Sequence, residues 1–168
     1  MYACDAVDLD FVEAAPIRLD FAVTVTRPPA EVFAAFVHDP ANWGEFFPGF
    51  DRTGKYLTDA PHGVGSRRAA RFTGVKFEET ILLWEEGVRW AFRVDSTQVP
   101  VFRAAVEDYH FEPDGHDATI LRWTLAYRPR VAFTLVGPLL PRALPLALSR
   151  AGRNLERGRR FSTPPENP

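Results

Sequence analysis

Cysteine is nearly absent from this chain of 168 residues, which carries a single copy at Cys4. One cysteine excludes a disulfide within the chain, a cysteine-rich zinc site and a Cys-x-x-Cys redox pair. Such a composition is typical of proteins from a reducing compartment. We therefore expect a cytoplasmic location.

An excess of charge of either sign is also missing. The chain has 20 Lys and Arg residues against 22 Asp and Glu residues, and its formal net charge is −2. It therefore has no global field that would attract nucleic acid or an anionic membrane, and such a contact would need a local patch. We expect no nucleic-acid partner.

Long apolar runs of the kind that span a membrane are absent. Residues 131–148 come nearest, but they hold Arg142 and three prolines in a length that barely reaches the minimum of about 17 residues. The first residues, MYACDAVDLDFVEAA, carry acids and no continuous apolar stretch, so we expect no secretory signal. Length and composition predict one domain over 1–168, with its core at about 16–161 and a disordered tail at 162–168.

Two regular patterns fill the first fifty residues. IRLDFAVTVTR alternates apolar and polar positions and predicts a half-buried strand. RPPAEVFAAFVHDP predicts a short helix, because its prolines suit a helix start and apolar residues follow at helical spacing. Asp39, which precedes a proline, should end this helix and cap a second one that carries Trp43, Phe46 and Phe47.

From about residue 50 to 128, apolar residues recur at every second position in long segments rich in β-branched and aromatic side chains. These segments are separated by turn sequences at Thr73-Gly74, Glu85-Glu86-Gly87 and Pro113-Asp114-Gly115. Connections this short cannot make parallel crossovers, so the pattern predicts an antiparallel meander.

The last element is predicted to be a long amphipathic helix at roughly residues 138–161. Its apolar stripe follows Leu140, Leu144, Leu148 and Leu155. A second stripe on the opposite side consists of Arg150, Arg153, Arg157 and Arg160. Such a stripe is usually the solvated face of a helix, and the alternative is contact with an anionic membrane or a protein partner.

This order of elements resembles the helix-grip fold of the START / polyketide cyclase / Bet v 1 (SRPBCC) superfamily, and within it the bacterial polyketide cyclase/dehydrase and lipid-transport-like proteins. The resemblance rests on RPPAEVFAAFVHDPANWGEFFPGF, on Gly65 before a strand, on FEPDGHDATILRWTLAYRP and on the Leu-, Ala- and Arg-rich final helix. It covers roughly residues 16–161. No catalytic residue carries over, because the superfamily has no uniform catalytic set.

The resemblance implies an α+β fold in which a curved antiparallel sheet of about six or seven strands wraps a long C-terminal helix. It also implies an apolar cavity between sheet and helix, closed at one end by the two short helices with Trp43, Phe46 and Phe47. Alternation along the strands and the helix then gives the residues expected to contact a ligand: Phe77, Glu79, Trp90, Phe92, Tyr109, Trp123, Leu140, Leu144 and Leu148.

Glu79 interrupts an otherwise apolar strand face that contains Phe77, Ile81 and Leu83. A carboxylate on the concave side of the sheet would need a partner or a raised pKa. We favour the alternative, a β-bulge that turns Glu79 into water.

The strand FRAAVEDYHFE allows two registers. One places Glu107 and Tyr109 inward, and the other places Asp108 and His110 inward; we prefer the first because it buries more aromatic surface. Glu107 would then lie two strands from Glu79, close enough for both carboxyls to meet one ligand and exchange protons with it.

These observations predict a protein that binds a small hydrophobic or lipid-like molecule, as a monomer or homodimer. A polyketide cyclase or dehydratase that uses the cavity carboxyl and tyrosine is the alternative. A second alternative is an interaction module whose core is filled by its own side chains. The spacing of the histidines and glycines matches no metal, nucleotide or serine-hydrolase motif, so we expect no cofactor and no metal.

Overall fold

The computed structural model describes residues 1–115, 117–130 and 139–161. The strands are β1 (Tyr2–Ala3), β2 (Ile17–Val25), β3 (Lys55–Tyr56), β4 (Arg67–Phe72), β5 (Val75–Glu85), β6 (Arg89–Thr97), β7 (Phe102–Pro113) and β8 (Thr119–Pro129). The helices are α1 (Phe11–Ala14), α2 (Pro29–Val37), a 3-10 turn (Pro40–Asn42), α3 (Trp43–Phe46) and α4 (Leu140–Arg157). The predicted helix start near residue 138 and the predicted disordered tail lie outside the described residues.

The strands form one antiparallel eight-stranded sheet in the order β2-β8-β7-β6-β5-β4-β3, with β1 added beside β6. The predicted meander and α+β class are confirmed. The sheet has more strands than predicted because β1 and β3 have two residues each, too few for an alternating pattern to stand out.

The segment between β2 and β3 has the predicted pair of short helical elements. Pro29 occupies the start of α2, where its missing N–H has no intrahelical role. Asp39 has extended backbone, ends this helix region and accepts a hydrogen bond from the Ala41 N–H at 2.9 Å. These caps fix the direction in which α3 crosses the end of the sheet.

Helix α4 packs its apolar side on the concave side of the sheet, where Leu144, Leu148, Ala151 and Leu155 are buried. Close contact with β2 is possible because Gly152 lies against Val23; a Cβ there would sit 3.3 Å from the valine side chain. The end of the helix is held by the buried Arg27, which donates hydrogen bonds to the carbonyls of Glu156, Gly158 and Arg159.

The N-terminal residues cover part of the convex side of the sheet. Phe11 and Val12 of α1 are buried there with Ala104, Val106 and Ala126. The sequence did not predict this second apolar cluster, since a four-residue helix is too short to show a helical period.

Two β-bulges decide which side chains of β5 face inward. The first places an extra residue, Asp95, on β6 opposite the step from Glu78 to Glu79. The second places Leu82 as the extra residue on β5, so Leu83 pairs with Ala91 and Trp84 pairs with Trp90. The predicted inward position of Leu83 is therefore wrong, and Trp84 takes that side of the strand.

Candidate functional site

A cavity of about 300 Å³ lies between the concave face of the sheet, α3 and the first turns of α4. This volume is at the lower end of the range of small-molecule sites. Its wall is largely aromatic and aliphatic, and it consists of Trp43, Phe47, Phe50, Phe72, Thr73, Val75, Phe77, Glu79, Val99, Val101, Phe102, Glu107, Tyr109, Trp123, Leu125, Leu140 and Leu144.

Aromatic side chains from α3 and the following loop form one end of this wall. The Trp43 indole N–H donates to the Phe36 carbonyl at 2.6 Å, which fixes the orientation of the ring. Trp43 packs against Phe47 and Phe50 with centroid distances of 5.5 and 4.7 Å. Phe46 lies beside Trp43 and Phe47, with centroid distances of 6.4 and 6.5 Å, and also packs on Phe36 and Phe161, but it does not line the cavity.

Most of the residues expected to contact a ligand lie in the cavity wall: Phe77, Glu79, Tyr109, Trp123, Leu140 and Leu144. Trp90 and Phe92 do not, because the guanidinium of Arg68 lies 4.4 Å from the centre of each ring. Leu148 is also absent from the wall, since it packs in the core one turn further along α4 than Leu144. Contact with a ligand stays a prediction for the residues that line the cavity.

Glu79 is buried rather than turned into water, so the solvent-facing interpretation that we favoured is wrong. The expected bulge is present, but its extra residue belongs to β6. The alternation of β5 is therefore not shifted at this point, and Glu79 faces the interior. The Glu79 carboxylate accepts a hydrogen bond from the Nε of Arg68 at 2.5 Å. Burial raises the pKa of Glu79, and the charge of Arg68 opposes that rise.

Besides Phe50, Phe72, Thr73, Val99, Val101 and Phe102 of the wall, the sequence analysis missed Arg68. Its side chain is 1% exposed, and its guanidinium also contacts the Trp43 ring, 4.9 Å from the centroid. A signal was available: Arg68 and Glu79 are equally distant from the predicted Thr73-Gly74 turn, so a tight hairpin pairs them directly. Cross-strand pairing would have identified the partner that a buried Glu79 needs.

Glu107 and Tyr109 form the second polar group of the cavity, in the register that we preferred. The Tyr109 hydroxyl donates to the Glu107 carboxylate at 2.6 Å. Burial raises the pKa of Glu107 to about 7; the hydrogen bond from Tyr109 lowers it, and the nearby charge of Glu79 raises it further. Burial also raises the pKa of Tyr109, which remains a neutral donor near neutral pH.

The alternative pair, Asp108 and His110, lies on the convex side of the sheet. Asp108 accepts two hydrogen bonds from Arg89, at 3.0 and 2.8 Å, and lies 3.3 Å from the His110 ring nitrogen. None of these three residues is among the described residues that line the cavity.

The arrangement can hold an apolar molecule and present it with a carboxyl that exchanges protons near neutral pH. Among residues 1–115, 117–130 and 139–161, no cluster of His, Cys, Asp and Glu side chains could hold a metal ion. No helix within the same ranges is both long and apolar enough to cross a membrane.

Comparison with known sequences gives the same picture of the fold. The model of the family described as polyketide cyclase / dehydrase and lipid transport matches residues 16–158. An uncharacterized protein of Mycobacterium tuberculosis is 30% identical over 164 residues, which cover 94% of this chain and 93% of the relative.

Solved structures with this architecture include the Zhui aromatase/cyclase from Streptomyces, with a TM-score of 0.67 and 14% identity over 85% of this chain and 96% of that protein. A START superfamily protein from Mycobacterium smegmatis has a TM-score of 0.65 and 17% identity over 83% of this chain and 94% of that protein. At these identities the likeness establishes the helix-grip fold alone.

Proposed function

Since the chain belongs to the polyketide cyclase / dehydrase and lipid transport family, we propose that it binds a small hydrophobic or lipid-like ligand in the cavity between the sheet and α4. The observation that carries this proposal is the apolar cavity of about 300 Å³. Cavities of this size are uncommon in close-packed protein interiors, and an apolar wall suits an apolar ligand. Burial of ligand surface at about 25 cal/mol per Å² would supply the affinity.

The polar groups of the wall would orient the ligand rather than supply most of the binding energy. Glu107 and Tyr109 lie on β7, and Glu79 lies on β5 two strands away. A ligand could therefore hydrogen-bond to both sets of polar groups. Aromatic rings surround these groups, and a ligand in contact with them would be shielded from water.

Native mass spectrometry of the freshly purified protein, followed by solvent extraction, tests the proposal. We expect a bound mass that survives gentle desolvation and is lost on denaturation. A protein that is purified without a bound molecule and binds no added apolar molecule would contradict the proposal.

A cyclase or dehydratase activity is the second candidate, and the pair of Glu107 and Tyr109 favours it. A carboxyl with a pKa of about 7 can remove a proton beside a ketone and return it to an oxygen. Tyr109 would hold the carboxyl in place through the hydrogen bond that it donates. The third interpretation, an interaction module with a filled core, is not favoured, because the cavity is open.

The outer face of α4 supports a proposal about the membrane. At about 100° per residue, Arg142, Arg150, Arg153 and Arg157 fall within about 40° of Leu146, and all of these side chains are exposed. Leu140 and Leu144 on the opposite side of the same turns line the cavity. We propose that this basic face rests on an anionic lipid surface while the cavity receives or releases its ligand.

Arg160 does not belong to this face, although the sequence analysis placed it there. It follows the end of α4, and its guanidinium donates to Glu31 at 3.1 Å. The cytoplasmic location and the oligomeric state stay predictions.

A further inference from the structure

The polar side chains that reach the cavity include two carboxyls and no cation. Of the described residues in its wall, only Thr73, Glu79, Glu107, Tyr109 and the indoles of Trp43 and Trp123 carry polar side-chain atoms, and none of them is a cation. When ionised, these carboxyls are negatively charged, so they would repel a fatty acid or another organic anion.

Arg68 does not reverse this sign at the wall, because it lies behind the wall and is paired with Glu79, although its buried Nη1 has no hydrogen-bond partner among the described residues. Its guanidinium is enclosed by the rings of Trp43, Trp90 and Phe92, and its Nε bonds to Glu79. The positive charge of Arg68 thus compensates the carboxylate of Glu79, and the pair contributes little net charge to the cavity.

Glu107 has no such cation. Among the described residues it forms no ion pair, and its strongest partner is the neutral hydroxyl of Tyr109 at 2.6 Å. Arg68 acts on Glu107 only from a distance, so the ionised form of Glu107 has a neutral donor but no cation bonded to it. A cationic ligand group would supply that counter-charge.

The surrounding rings suit a cation as well. Trp43, Phe47, Tyr109 and Trp123 line the same cavity as Glu107, and the negative faces of aromatic rings attract organic ammonium groups by about 0.5–2 kcal/mol. Cages of aromatic rings recognise quaternary ammonium groups in this way.

From this placement we propose that the cavity selects a hydrophobic amine, whose ammonium group pairs with the Glu107 carboxylate while its apolar part occupies the aromatic wall. This inference rests on the proposed function, since it names the ligand class of the same site. On binding, the neutral Glu107 carboxyl loses its proton to solvent and the N–H groups of the ammonium donate to the resulting carboxylate.

The proton release makes the affinity depend on pH. The charged or titratable groups that act on Glu107 are Tyr109 on its own strand, Glu79 on β5 and Arg68 on β4. The cavity residues that β8 and α4 place near it do not titrate; they include Trp123, Leu125 and Leu144. Since the pKa of Glu107 is about 7, the carboxylate that pairs with the amine becomes available between pH 6 and 8, where an alkylamine stays protonated.

Calorimetric titration with decylamine, 1-decanol and decanoate tests the inference, because the three probes share one chain length and differ in charge. At pH 8 we expect decylamine to bind at least about ten-fold more tightly than 1-decanol, a difference of about 1.4 kcal/mol. Decanoate should bind least tightly because its charge has the same sign as the Glu107 carboxylate. Decylamine affinity should fall at pH 6, and 1-decanol affinity should not.

Two variants complete the design. Glu107→Gln keeps the shape of the side chain and should reduce the preference for the amine to near unity while 1-decanol still binds. Glu112→Gln, on the same strand but outside the cavity wall, should leave the preference unchanged. If the wild-type chain binds the amine no better than the alcohol, or prefers decanoate, the inference is overturned and the proposed function stands; if no probe binds, both fail.

Discussion

Arg68 and Glu79 face each other across the β4–β5 hairpin, and their side chains meet 2.5 Å apart in the interior of the protein. The pair sets the electrostatics of the cavity, because it brings a carboxylate into the wall without leaving an isolated charge there. Glu107 remains as the carboxyl with a neutral donor, so the two acids of the cavity have different chemical roles.

Breaking this pair on one side should destabilise the fold strongly. Arg68→Met leaves the Glu79 carboxylate buried without a cation, and loss of one partner of a buried pair costs about 3–5 kcal/mol. Urea denaturation measures the free energy of unfolding. The double variant Arg68→Met with Glu79→Leu should recover most of the loss, and a double variant as unstable as the sum of the single changes would contradict this account of the pair.

Stability should also depend on pH through Glu107. Its pKa is about 7 in the folded chain against an ordinary 4.5, so the unfolded chain releases its proton at lower pH than the folded chain. The free energy of unfolding therefore falls as pH rises from about 4.5 to 7, by at most about 3 kcal/mol from this group, and changes little above that range.

The difference between wild type and Glu107→Gln isolates this contribution from those of other groups. Denaturation at pH 5, 6, 7 and 8 should show the variant gaining stability relative to wild type as pH rises. A difference that is constant across this range would mean that Glu107 titrates normally.

The cyclase or dehydratase candidate makes a separate prediction. Tyr109→Phe removes the hydroxyl that holds Glu107, so a poly-β-ketone substrate should still bind while its turnover falls by about 10²–10⁴-fold, the usual contribution of a positioned acid or base. Product analysis by mass spectrometry gives the rate. If turnover and binding are lost in equal measure, the hydroxyl serves binding alone.

The membrane proposal can be tested by changing the basic face of α4. Replacing Arg142, Arg150, Arg153 and Arg157 by Gln should weaken sedimentation with phosphatidylserine vesicles at least about ten-fold, since each cation near an anionic surface contributes about 1 kcal/mol. The same change at Arg52, Arg67, Arg71 and Arg122, all outside α4, serves as the control. Equal losses in both variants would indicate attraction by general charge rather than by this face.

The sequence predicted the fold well where the pattern is long and regular. Strands of nine or more residues with clear alternation, such as Ile17–Val25, and the proline-led helix starts were all found. The two-residue strands and the four-residue α1 were not, because so few residues show no period.

The site was harder to predict because it depends on pairing between strands. Whether Glu79 faces inward was decided by which strand carries the extra residue of the bulge, and a single sequence does not show that. Trp90 and Phe92 were assigned to the correct side of the sheet. They do not line the cavity because the Arg68 guanidinium packs on their rings, and alternation along one strand cannot show that contact.

The most direct test of the account is titration of a neutral apolar probe, Nile red, into the wild-type chain and two tryptophan variants. Leu144 lines the cavity and Leu146 is 60% exposed on the other side of α4, so Leu144→Trp fills the site and Leu146→Trp adds the same ring outside it. We predict saturable one-to-one binding to the wild type and to Leu146→Trp, and a loss of at least about ten-fold in affinity for Leu144→Trp with its fold intact by circular dichroism. Equal binding to both variants, or no saturable binding to the wild type, would contradict a ligand site inside this fold.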